Sequence, residues 1–159
     1  MNTNATVVKM LLDRWYGSVK NCDALLNAIS NEQLDKEISP GKNRGIYLLG
    51  HLIAVHDHML QLTGFGDLKY PELAPIFIEA PDKAVSEIPT ADKLRAIWKE
   101  QNEDIKQKLE GLSADNWFEK HTAVTAEDFA KEPHRNKLNI LLTRTTHLTY
   151  HTGQLVLFK

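Results

Sequence analysis

His147 and His151 stand four residues apart in the run His147-Leu148-Thr149-Tyr150-His151. At 3.6 residues per turn, a helix presents both rings on one face, one above the other. Two imidazoles so arranged can bind one metal ion. The spacing alone is equally that of an ordinary surface or core pair. A third histidine sharpens it. His51 lies inside the apolar stretch Leu48–Val55, where a lone imidazole is more often a hydrogen-bonded core side chain. One buried imidazole facing two others across a core is costly to desolvate unless something binds them. Three neutral imidazoles suit a borderline divalent ion such as Zn, Ni or Cu. Three protein ligands also leave a position for water or substrate, the pattern of a catalytic site and not of a closed structural one.

The remaining histidines are weaker candidates. His58 follows His51 by seven residues, so it faces the same way about two turns along, at the distance of a pocket mouth. His56 points elsewhere and is expected to be exposed or hydrogen-bonded. His121 and His134 fall in a polar connection and are expected to be solvated. The same arithmetic selects supporting residues. Tyr47 is one turn before His51, Arg144 one turn before His147, and Gln154 one turn after His151. Metal-bound imidazoles usually donate their other N–H to an oxygen acceptor. Gln154 or a backbone carbonyl could fill that role. Arg144 cannot accept, but its guanidinium could attract an anionic substrate. Tyr47 and Arg144 read equally well as plain helix-surface side chains.

Other chemistries lack their motifs. There is no glycine-rich phosphate loop and no nucleophile-elbow serine. Cys22 sits in an apolar stripe, as a buried inert thiol would. Trp15, Trp98 and Trp117 read as core residues and not as a base-stacking platform. Nineteen Lys+Arg against 21 Asp+Glu leave a formal charge of −2, without the basic surplus of a nucleic-acid binder. No apolar run approaches the roughly 18–20 residues that cross a bilayer. Residues 1–30 carry no basic start followed by an apolar block, so no secretion signal is expected. A single cysteine fits a reducing cytoplasm.

The elements that must position these residues follow from periodicity. The 159 residues fit one domain. Val8, Leu11, Trp15, Val19, Cys22, Leu26 and Ile29 recur at steps of three and four, which predicts a helix over about Asn4–Ser30, capped by Asn2, Thr3 or Asn4. A short turn over Asn31–Glu37 and a break at Ser39-Pro40-Gly41 follow. A second helix is predicted over about Arg44–Thr63, capped by Asn43 and stopped by Gly64-Phe65-Gly66. Residues 64–89 hold four prolines and read as a long crossover, with a short helix around Pro71–Ile78. The third helix starts after Thr90 and ends at Gly111. A polar connection over 112–136 starts with a turn at Ser113–Trp117. The last helix covers about Asn136–Leu157. No segment alternates well enough for a strand. The reading is all-α: a four-helix bundle with a long crossover between the second and third helices.

Gly50-His51-Leu52 and His147-Leu148-Thr149-Tyr150-His151-Thr152-Gly153-Gln154-Leu155 resemble the DinB-like (DinB/YfiT) superfamily, and the resemblance covers nearly the whole chain as one domain, residues 1–159. The third helix and the following Leu112–Trp117 fit the same pattern. The resemblance implies a four-helix bundle with a long crossover and a divalent metal, often zinc or nickel, on three histidines. By motif position these are His51, His147 and His151. It also implies frequent dimers, and among characterised relatives thiol-dependent S-transferases and isomerases. Thr152 fills a slot where relatives often carry a basic residue. The expectation is a metal-dependent enzyme that activates water or a small thiol, of hydrolase or S-transferase type. The alternative is a non-catalytic ligand-binding or sensory domain with a structural or vestigial metal site. The expected partners are a small molecule, with a low-molecular-weight thiol among the candidates, and a second copy of the chain, with neither nucleic acid nor membrane.

Overall fold

A computed structural model describes residues 3–158. The fold is all-helical, with α1 over Thr3–Ala28, α2 over Asn31–Leu34, α3 over Gly45–Leu62, α4 over Ala91–Glu110, α5 over Ala126–Lys131 and α6 over Lys137–Leu155. Short 3-10 turns cover Pro71–Leu73, Asn116–Phe118 and Val156–Phe158, and one π turn covers Pro75–Glu79. The four long helices match the predicted segments, but the chain carries more helices than four. Among the described residues there is no strand. Two isolated bridges, Glu37 with Arg44 and Lys120 with Asn136, precede the two histidine-bearing helices.

Capping chemistry sets several helix starts. Ser30 and Gln33 form a reciprocal capping box at α2. The Thr90 side chain accepts the Lys93 N–H at α4, and Asn136 accepts the Asn139 N–H at α6. The Asn2 cap expectation lies outside the described residues. The Asn43 expectation is corrected. The cap position of α3 is Arg44, which makes no side-chain cap. Its backbone N–H instead donates to Asp82, and its guanidinium grips the same carboxylate at 2.7–3.2 Å. The crossover therefore anchors the residue that precedes α3 from a distance.

Direction follows from side-chain pairs. Ser18 bonds Thr149, and Leu11, Arg14 and Ser18 line one groove with Leu142, Thr145 and Thr149, so α1 and α6 run parallel. Gly45 packs against Phe158 while His51 meets His147 and His151, so α3 and α6 run antiparallel. Leu34 packs on Gly45, and Asn31 bonds Asp92. The starts of α3 and α4 thus lie at one end, and residues 63–90 must travel the length of the fold to join them. Asp57, 2% exposed, pins this crossover by accepting the Lys69 and Tyr70 N–H groups.

Burial ranks the helices. Thirteen of the 18 residues of α3 are buried, against five of 19 in α6. The central helix therefore fixes the site, and α6 closes over it with one face open. Trp15, Leu48, Leu52, Ile53, Leu94, Ile105, Trp117, Leu141 and Leu148 form much of the shared core, with Cys22 buried among them as a free thiol.

Candidate metal centre

His51 leaves α3 where α6 crosses it. The Nε2 atom of His147 lies 3.1 Å from Nε2 of His51 and 3.1 Å from Nε2 of His151. One ligand atom from each ring falls within 4.8 Å of the others, which is close enough to hold one metal ion. Two nitrogens bound tetrahedrally to zinc at about 2.0–2.1 Å sit roughly 3.3 Å apart, so the observed spacing needs little adjustment.

The outer nitrogens decide the protonation pattern. His51 Nδ1 lies 2.7 Å from the Phe77 carbonyl oxygen, and an imidazole can only donate to a carbonyl. His151 Nδ1 lies 2.6 Å from Gln154 Oε1, again as donor. Both rings therefore keep their proton on Nδ1 and aim an Nε2 lone pair at the shared point. A neutral His147 has one proton to give, and its Nδ1 is buried without a partner. Protein atoms alone leave at least one lone pair facing another nitrogen. A cation satisfies all three. The residues present fit a divalent ion on the chemistry of the donor set.

Electrostatics agrees with the geometry. Burial lowers the pKa of His51 and His151. His147 is pushed down to about 4, first by burial, then by the His151 and His51 rings and the Arg144 charge. The rings stay neutral near pH 7, the form in which an imidazole binds a metal.

The supporting atoms have local explanations. The Phe77 carbonyl comes from the π turn, an element often found beside functional sites. Its ring seats over Gly50, where an added Cβ would lie 2.5 Å from it. Gly50 thus keeps the Phe77 segment close enough for its carbonyl to reach the next residue, His51. Tyr47 stacks on His51 at 6.3 Å between ring centroids and 10° between planes, and its hydroxyl donates to Ala80 O at 2.7 Å. Gln154 meets His151 as the spacing suggests. Arg144 is half-buried on the same face of α6, one turn before His147. His58 remains on α3, half-buried, outside the cluster.

Two histidines depart from expectation. His56 is fully buried, and neither ring nitrogen has a hydrogen-bond partner. It sits against Trp15 at 4.9 Å and Trp98 at 5.4 Å between centroids. Helical spacing placed it off the His51 face but could not show two indoles arriving from α1 and α4. His121 is half-buried, and its Nδ1 accepts the Ala123 N–H; His134 is exposed. Tyr150 was not singled out. It stands edge-on to His151 at 5.1 Å, and its hydroxyl accepts weakly from Gln154 at 3.4 Å. Its place directly before His151 was the only available signal.

A sequence profile for the DinB superfamily matches residues 15–155, which include both histidine stretches. The chain belongs to the DinB superfamily. A conserved protein from Enterococcus faecalis has a similar structure, with a TM-score of 0.65 over 99% of this chain and 95% of that one. At 12% identity this is a likeness of fold alone. No curated protein matches this DinB chain by sequence. Among the described residues no helix is long and apolar enough to cross a membrane.

Proposed function

We propose that this DinB protein is a metal-dependent enzyme whose divalent ion, zinc or nickel, is held by His51, His147 and His151. The observation that carries this reading is the convergence of three Nε2 atoms with the protons of two rings steered to the far side. His51, His147 and His151 would hold the ion, which when bound would supply a lowered pKa to a water or thiol. The protein's own contribution is positioning. Phe77 O fixes the His51 ring, Gln154 fixes the His151 ring, and Tyr47 covers one side of His51. Each ring is half-buried, not sealed in the core. Hydrolysis and thiol transfer both fit this arrangement. A buried free Cys22 fits a reducing cytoplasm. Exposed Val7, Met10, Leu142 and Tyr150 on α1 and α6 support a homodimer, which sedimentation velocity checks.

Metal analysis of protein purified without an affinity tag tests the foundation. A divalent ion at one per chain is expected. If none co-purifies and none binds at micromolar levels, the reading fails. A screen of the loaded protein against small thiols and electrophilic acceptors, with His151→Ala as control, then separates transferase from hydrolase.

One observation favours a binding or sensory domain as a second reading. A groove of about 370 Å³ lies between α1 and α4, lined by Trp15, Tyr16, Val19, Lys99 and Asn102, away from the three histidines. Ligand occupancy of this groove with no turnover at the metal would select that reading.

A further inference from the structure

Arg144 has no structural task. It shares a face of α6 with His147 and His151, at steps of three and four. The residue is half-buried, and its Nε is buried without a hydrogen-bond partner. Among the described residues its guanidinium makes no ion pair, whereas Arg44 grips Asp82 and Arg95 bonds Asn31, Leu26 O and Ile29 O. It lies eleven residues before the end of α6 and so cannot cap that helix. Removing a guanidinium from water without a counter-charge is costly. A lone cation beside three neutral rings repels a metal ion slightly, so it does not serve the ion.

We infer that Arg144 is a specificity-determining residue: it binds the anionic oxygens of a carboxylate or phosphate group on the substrate and holds the reacting end at the three imidazoles. This rests on the metal-enzyme reading and names the substrate class for the same site. The planar guanidinium fork matches either oxyanion bidentately. Burial of its stem on α6 limits its reach to molecules whose anionic group lies a few bonds from the reacting atom. Tyr47 and Tyr150 flank the site; Tyr47 donates its hydroxyl proton to Ala80 O, and neither ring carries a charge that would hold an anion.

The test titrates inorganic phosphate, and separately acetate, into metal-free and zinc-loaded protein while the arginine Nε–H resonances are followed by NMR. Saturable movement of the Arg144 signal is expected in both forms. With Arg144→Gln, binding of the same anion, followed through the neighbouring amide signals, should weaken at least tenfold; with Arg144→Lys it should recover in part. Zinc uptake by the Gln variant should be unchanged or tighter, which also shows that the site still folds. Phosphate-only or acetate-only binding names the group. Equal affinity in wild type and Arg144→Gln, or no saturable binding of either anion, overturns the assignment. Failure of wild-type protein to bind zinc would instead sink the metal reading, because the metal-free titration reports on Arg144 by itself.

Discussion

Two regions of the protein bury imidazoles, and they do so in opposite ways. The trio of His51, His147 and His151 is half-buried. Two of its rings have an oxygen behind them, and all three inner nitrogens converge. His56 is fully buried between Trp15 and Trp98, with no partner at either nitrogen. Its pKa is pushed further, to about 3, against about 4 for His147. The most perturbed histidine is thus not one of the three that converge. Burial alone shifts a ring, whereas a site needs acceptors that set the tautomer and lone pairs that share a target.

The largest effect that could break this contrast is at His147. His147→Ala should drop zinc binding below detection by calorimetry and remove the ion's stabilisation of the loaded form. His56→Phe should leave one zinc per chain. Zinc retained at full affinity in the alanine variant would erase the distinction. Gln154→Leu removes the acceptor behind His151 and should weaken zinc by about 10–100-fold. An unchanged dissociation constant would mean that the acceptor does not matter.

Gly50→Ala sharpens the comparison on the fold side. A Cβ 2.5 Å from the Phe77 ring must move that ring and the π turn with it. Overpacking of this kind costs about 1–3 kcal/mol in chemical denaturation, and zinc affinity should fall with it because the Phe77 carbonyl is displaced. Loss of stability with zinc affinity intact would uncouple the turn from the site.

The pH dependence of stability isolates His56. Its folded pKa is below the unfolded value of about 6.5, so the unfolded chain binds the proton first as pH falls. Its contribution is therefore complete above pH 6.5 and declines toward about 3, with a slope of at most about 1.4 kcal/mol per pH unit. The charges of His147, Arg144 and His51 add to the burial effect. In metal-free protein, His56→Phe should flatten the acid limb of the stability curve relative to wild type. Identical curves would show that the ring is not desolvated. The smallest effect is Tyr47→Phe, which loses the bond to Ala80 O and about 1 kcal/mol without changing metal stoichiometry.

Much of this was legible in the sequence for physical reasons. The apolar stripes marked the four long helices, and Thr90 marked the start of α4 because an N-cap has a local signature. The i,i+4 pair and the His51 interruption pointed to the three rings that meet. What escaped depends on distant chain. The Phe77 carbonyl is a backbone atom with no side-chain signal. Arg44 gets its partner from Asp82, 38 residues on, and not from Asn43. α5 buries no residue, so it left no stripe to read. His56 needed knowledge of which indoles α1 and α4 bring to it.

His51 and His147 stand 96 residues apart along the chain. An ion between them would be a removable clasp closing a long loop. At a free metal concentration about 100 times the dissociation constant it would add roughly 2.7 kcal/mol to the folded state. That gain falls on the seam of α3 with α6, so amides along this seam should exchange more slowly when metal is supplied and faster when a chelator withdraws it. The lifetime of the folded chain would then track the metal supply around it.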